Sequence, residues 1–177
     1  SKWLLIILAA VYVAMVLLTY DRADPGWSHS ANVDRIHNAG GRIGAWVADI
    51  LLYLFGLSAY WLVVLCLYAV AWGYRRLDGS SLGDRRPFIL ALAGFSVLLF
   101  ASSGLEALRF HSVQATLPLA PGGMVGAVLA NVFSATLGFT GGTLVLLTFF
   151  AIGVSLFTGL SWLTIMERIG AGIEWVW

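Results

Sequence analysis

The sequence predicts an all-α integral membrane domain, with four transmembrane helices arranged as an internal duplication. Three observations predict it. The chain of 177 residues is 60% hydrophobic and 11% charged, with a mean hydropathy of +0.89, whereas a soluble domain carries about 25% charged residues. Long apolar runs alternate with short polar stretches of loop composition. A glycine-rich pattern also recurs 82 residues downstream: Gly40-Gly41-Arg42-Ile43-Gly44-Ala45-Trp46-Val47-Ala48-Asp49, followed by Gly56, returns as Gly122-Gly123-Met124-Val125-Gly126-Ala127-Val128-Leu129-Ala130-Asn131, followed by Gly138. Asp49 falls opposite Asn131, and the apolar runs on either side fall in step, so the pattern reads as one unit used twice. Such repeats set the architecture.

The first repeat covers about residues 3–74. Its first span, 3–20, is an apolar run from Trp3 to Leu18 closed by Thr19-Tyr20. That is long enough to cross a bilayer, and no signal-peptide cleavage pattern follows it. Trp3 and Tyr20 sit at its ends, where amphipathic rings prefer the headgroup level. Residues 21–39 are polar, and Asp24-Pro25-Gly26-Trp27-Ser28 reads as a turn. The following apolar stretch, 43–74, would make a helix of ~48 Å, too long for a ~30 Å hydrocarbon core. Phe55-Gly56 is the natural joint, dividing it into a half-helix (44–54) and a second span (57–74). At such a joint, non-helical backbone must be satisfied by protein or water.

Residues 75–86 form a connecting loop with turn signals at Gly79-Ser80-Ser81 and Gly83 and with four arginines. The second repeat covers about 87–166. Pro87 suits the first turn of its opening span, 88–105. Glu106 and Arg109 lie one helical turn apart and read as an i,i+3 pair at the interface. An external loop over 110–121 follows, then a half-helix (123–137), a break over 138–142, and the fourth span, 143–166. The tail, 167–177, reads as interfacial. Lys2, the 75–86 loop and the tail carry six of the ten basic residues, so the positive-inside rule places both termini and that loop in the cytoplasm. With two spans per repeat, the copies have parallel topology about an axis along the membrane normal.

The candidate structural and partner residues are Trp27, Gly40, Gly41, Gly44, Asp49, Gly56, Gly122, Gly123, Gly126, Asn131, Gly138, Ala151, Ser155 and Gly159. Asp49 in an apolar helix invites a functional reading, but Asn131 in the second copy cannot titrate. The favoured reading is therefore an Asp49 that faces headgroups or water, with Asn131 in the same role. Ala151, Ser155 and Gly159 recur every fourth residue, a small-residue row that permits close packing of helices within or between protomers. His29, His37 and His111 have no metal-ligand spacing and read as solvated loop residues. Cys66 is single, in an apolar run, and reads as a small buried hydrophobe.

No catalytic motif is present: the only lysine is Lys2, which excludes a P-loop, and there is no G-x-S-x-G, H-E-x-x-H or C-x-x-C. A net charge of +1 without a basic block excludes direct nucleic-acid contact by a basic face. No cofactor or metal is expected in this segment.

Asp24-Pro25-Gly26-Trp27-Ser28, then His37-Asn38-Ala39-Gly40-Gly41-Arg42-Ile43-Gly44-Ala45-Trp46-Val47-Ala48-Asp49, Phe55-Gly56 and Leu156-Phe157-Thr158-Gly159-Leu160-Ser161-Trp162 occur in this order around the four predicted spans. In this combination the chain, over roughly residues 3–170, resembles the N-terminal membrane domain of bacterial FtsK/SpoIIIE-type DNA translocases. The resemblance implies a four-span inner-membrane anchor with cytoplasmic termini, located at the division septum and contacting other division proteins in the membrane. It also implies a separate hexameric motor that uses ATP and Mg, so any enzyme activity belongs to that motor and not to this segment. The alternative reading is an oligomeric small-solute transporter or channel, since parallel repeats with broken helices occur in transporters. An intramembrane enzyme would have only Asp49 to work with.

Overall fold

The structure, a computed structural model, describes residues 2–30, 35–78, 86–110, 116–159 and 166–167. Most of the expected 75–86 loop, His111, the end of the span expected over 143–166 and the tail beyond Glu167 lie outside the described residues. Among those residues the secondary structure is entirely helical: α1 (Lys2–Leu18), α2 (Gly41–Phe55), a 3-10 helix (Gly56–Tyr60), α3 (Trp61–Asp78), α4 (Arg86–Arg109) and α5 (Gly123–Thr158).

Three stretches are long and apolar enough to cross a membrane: Gly41–Ala71, Phe88–Arg109 and Gly123–Thr158. The first predicted span, 3–20, corresponds to α1, which is shorter at 17 residues, or ~25 Å against a ~30 Å core. Many large aliphatic side chains face outward, including Leu5, Leu8, Leu18, Ile89 and Leu144. An apolar exterior on this scale marks a membrane protein, because water would penalise every such surface.

Helix α1 ends where its carbonyls find side-chain donors. At the end of α1, Thr19 Oγ1 donates to Met15 O (2.7 Å). Asn38 Nδ2 donates to Val16 O (2.9 Å) and Thr19 O (3.2 Å), and Tyr60 OH donates to Leu17 O (2.9 Å). These bonds satisfy the last turn, whose carbonyls have no intrahelical partner. Helix α2 ends at Gly56, where φ is 60° and ψ is −143° and the N–H returns to Leu52 O. Helix α5 differs from the expected break over 138–142. It continues through 139–142, and only Gly138 (φ 70°, ψ 175°) leaves helical geometry, producing a kink.

Packing is closest between α4 and α5, which form a hairpin; α1 lies on α3, and α2 docks on the start of α5. A Cβ added to Gly94 would lie 2.5 Å from Leu156 Cβ, and one added to Gly153 would lie 2.6 Å from the Leu98 backbone nitrogen. The α4–α5 approach therefore passes through Gly94 and Gly153. Ala151 and Ser155 are only half-buried and Gly159 is exposed. Apolar clusters fill the rest: Val16, Leu17, Ala48 and Leu52 join α1 to α2, while Phe95, Leu98 and Phe157 join α4 to α5 with Trp61 and Tyr68 of α3 against them.

Gly153→Leu forces the side chain into backbone, which cannot rotate away, so it is expected to destabilise by more than the ~1–3 kcal/mol of ordinary overpacking. Thermal unfolding in detergent, with exposed Ile152→Ala as the control, measures this; equal midpoints would exclude the tight α4–α5 crossing.

Candidate functional site

The polar residues converge on two places, both held by buried carboxylates. The first is the loop between α1 and α2. Asp49 lies on the buried face of α2 with Gly44, Ala45, Ala48 and Leu52, and it is 0% exposed. Its carboxylate accepts from the Ser28 N–H (2.6 Å), Ser28 Oγ (3.0 Å) and Tyr20 OH (3.2 Å). The turn comes so close that a Cβ on Gly26 would sit 2.5 Å from Asp49 Cγ. His29 Nδ1 stands 3.7 Å from Asp49 Oδ1, with its Nε2 2.8 Å from Arg22 O.

Asp24 holds the other end of this loop. It accepts from the backbone N–H groups of His37 (2.8 Å) and Asn38 (2.7 Å) and lies 3.2 Å from His37 Nδ1. Burial alone would push this carboxyl up, but the two backbone donors and the His37 ring outweigh it and hold its pKa below the usual 3.8. Asn38 Oδ1 in turn accepts from Gly40 N (2.9 Å). The Asp-Pro-Gly-Trp-Ser turn and the Asn-Ala-Gly-Gly stretch are thus tied to the end of α1 and the face of α2.

Two expectations change here. Asp49 does not face headgroups or water, because Ser28, Tyr20 and Gly26 enclose it. Nor does Asn131 share its role: Asn131 is exposed on α5. The two loops they follow differ in length and composition, and among the described residues the first alone brings donors back over the half-helix.

The second place is the joint at Gly56. Glu106, 5% exposed, accepts from the Leu57 N–H (2.8 Å), the Ser58 N–H (2.9 Å) and Ser58 Oγ (2.8 Å). It caps the N-terminal donors of the 3-10 helix leading into α3, and a negative charge there also suits the helix dipole. Arg109 points elsewhere. Its Nε donates to Thr143 Oγ1 (3.2 Å) and its guanidinium lies 4.4 Å from the Phe139 ring centroid. The expected Glu106–Arg109 pair is therefore replaced by two separate contacts.

The repeated glycines lie at the contacts of the half-helices. A Cβ on Gly40 or Gly44 would strike Val16 of α1, and one on Gly122 or Gly126 would strike the Ser103 carbonyl of α4. A Cβ on Gly56 would meet Gly122 N, and one on Gly123 would lie 2.5 Å from the Leu54 carbonyl carbon. The end of one half-helix thus abuts the start of the next. Gly41 and Gly123 have φ of 65° and 61°, and Gly56 and Gly138 have φ of 60° and 70°. Trp27 is 52% exposed and meets the Tyr53 ring edge-on, with centroids 5.2 Å apart. Ile43 and Trp46 are exposed on the same half of the molecule.

Among the described residues, no three His, Cys, Asp or Glu side chains are grouped to hold a metal ion, and no buried side-chain polar atom lacks a partner. The carboxylates fix backbone.

A sequence profile described as the 4TM region of DNA translocase FtsK/SpoIIIE matches residues 1–170. The chain belongs to the FtsK/SpoIIIE translocase family. It is 46% identical over 178 residues to DNA translocase FtsK 2 of Ralstonia nicotianae, covering 98% of this chain and 23% of that protein. It is 40% identical over 166 residues to DNA translocase FtsK of Vibrio vulnificus, covering 93% of this chain and 16% of the relative. A Pseudomonas syringae FtsK is 38% identical over 162 residues, covering 90% and 20%. The chain thus spans less than a quarter of the length of these relatives and corresponds to the family's 4TM region. No solved structure matches.

Sequence reasoning missed the donors Tyr20, Ser28 and Asn38 and the capping role of Glu106. A carboxylate at the edge of an apolar run was the available signal for Glu106, but its partners lie 48–49 residues away.

Asp49→Ala leaves the part-buried Ser28 N–H and Tyr20 hydroxyl without their acceptor and is expected to destabilise by about 1–3 kcal/mol. Exposed Asn131→Ala should stay within about 0.5 kcal/mol. Thermal melts of the two variants compare them, and equal losses would restore the equivalence of the two positions. For Asp24, a pKa depressed on folding makes the loop's stabilisation complete above the unfolded value near 3.8 and lost as pH falls through the lower folded value. Protease protection of residues 20–40 should hold from neutral pH to about pH 4 and fail below it. Asp24→Asn should remove that acid transition and lower protection at neutral pH.

Proposed function

We propose that this segment is the inner-membrane anchor and septal assembly module of its translocase. It spans the membrane four times, with both termini in the cytoplasm and the first loop and half-helices outside. A motor elsewhere in the full protein, using ATP and Mg, moves chromosomal DNA, so that division is coupled to chromosome segregation. The family match carries the reading. The relatives are named DNA translocases, and the present chain covers only their membrane region.

Several observations support the duplication. The glycine pairs Gly40/Gly44 and Gly122/Gly126 each lie against the helix that precedes their own loop, α1 and α4 respectively. Gly41/Gly123 and Gly56/Gly138 share left-handed φ values. Asp24 and Glu106, also 82 residues apart, both accept from consecutive backbone N–H groups. The partner-facing surface for other division membrane proteins is the carboxylate-held first loop with Trp27, together with the exposed Ile43 and Trp46 of α2. Its polar staples keep this surface in one shape, which lowers the entropy lost on docking. The Ala151/Ser155/Gly159 row packs helices within or between protomers.

A fluorescent fusion of the full translocase is expected at the septum. Bulky replacements at Gly44 and Gly126 should abolish septal localisation by displacing both half-helices, and Trp27→Ala with Trp46→Ala should reduce it while the protein remains folded and in the membrane. Normal localisation of all these variants would sink the assembly role. Solute flux through liposomes carrying the domain, absent in this reading, would favour a channel instead.

A further inference from the structure

The 3-10 helix, α3, α4 and α5 enclose an open groove of about 730 Å³, within the range of small-molecule sites. Its walls are apolar, including Trp61, Leu105, Leu147 and Phe150. It runs from Arg109, at the end of α4, to Ser102 two turns deeper, ~10 Å along the helix. Leu147 and Phe110 beside it are exposed, so the groove opens toward the lipid.

Arg109 lines the end of this groove and is itself exposed. Helix α4 has 24 residues, a length of ~36 Å that puts its last residue at the headgroup level of a ~30 Å core. Phe139 and Thr143 hold the guanidinium through its face and its Nε. Among the described residues no acceptor meets its Nη groups, whose parallel N–H donors match a phosphate. Glu106 makes no ion pair with it among the described residues, since both of its carboxylate oxygens turn to Leu57 and Ser58. At the headgroup level, lipid phosphates are the counter-charges within reach of Arg109.

We propose that this groove is a phospholipid site, with an acyl chain lying along Trp61, Leu147 and Phe150 and the phosphate diester held by Arg109. The apolar channel and the cation meet end to end in the order in which a phospholipid presents its chain and phosphate. A soluble anion would have no use for the apolar walls, and a neutral glyceride would leave Arg109 unpaired. The site thus fixes one lipid at the seam between the 3-10 helix and the α4–α5 hairpin, the joint that Glu106 also holds.

The chain purified from phospholipid nanodiscs into mild detergent and examined by native mass spectrometry should keep one phospholipid per protomer. Arg109→Gln should weaken retention about 10- to 100-fold, the loss expected for one charge-assisted contact. Leu147→Trp, which fills the groove and leaves Arg109 in place, should displace the lipid too. It keeps the test valid should Arg109→Gln fail to fold. Arg42→Gln, on exposed α2, should retain the lipid as the unmodified chain does. Four results would overturn the proposal: unchanged retention in both groove variants, equal retention of diacylglycerol and phospholipid, displacement of the lipid by inorganic phosphate alone, or a groove filled by a second copy with no lipid bound.

Discussion

A carboxylate that takes the place of a helical carbonyl holds the centre of this molecule. At Gly56 the chain leaves α2, and the first N–H groups of the next helix have no partner behind them. In water such a break is tolerable; beside lipid each unsatisfied donor costs several kcal/mol. Glu106 reaches across from α4 and takes both N–H groups and the Ser58 hydroxyl. The broken helix, the position of α3 and the docking of the second half-helix on Gly56 all depend on that contact.

The two halves use the same glycines and different acids. Glycine serves both for one reason: each half-helix lies too close to the helix before it for a Cβ, against the Val16 side chain of α1 in the first and the Ser103 carbonyl of α4 in the second. The carboxylates then make the halves unlike. In the first, Asp49 and Asp24 draw the preceding loop down onto α2 and leave aromatic rings outside a stapled frame. In the second, Asn131 faces outward and α5 bends once at Gly138 with no comparable polar staple among the described residues. A stapled polar frame therefore belongs to the first half, and helix packing to the second.

Polar and apolar interactions divide the work by depth. Around the first loop, hydrogen bonds to charged groups fix the backbone, because the surroundings are dry enough for each bond to count. Deeper in, α4 and α5 hold together by contact at Gly94 and Gly153, where van der Waals packing and close backbone approach replace a hydrophobic driving force that lipid cannot supply. Arg109 stands at the boundary between these regimes, held by a ring and a hydroxyl and open to the lipid-facing groove.

The sequence by itself determined that the chain is helical and lives in a membrane, because hydropathy and helix length depend on local composition alone. It also determined the joint at Phe55-Gly56, since one helix of that length would overrun the bilayer, and the family through its Asp-Pro-Gly-Trp and Asn-Ala-Gly-Gly signals. Only the tertiary structure decided what the acids do. Asp49 and Asn131 are equivalent in spacing and opposite in environment, because burial is set by whether a loop folds back over the helix. Glu106 and Arg109 are neighbours on α4 that face different partners 34 to 49 residues away in sequence. The small residues that bring α4 and α5 together include Gly94 and Gly153 besides the repeat's own Gly126, and those two are set by the crossing of two helices and invisible in the spacing of either one.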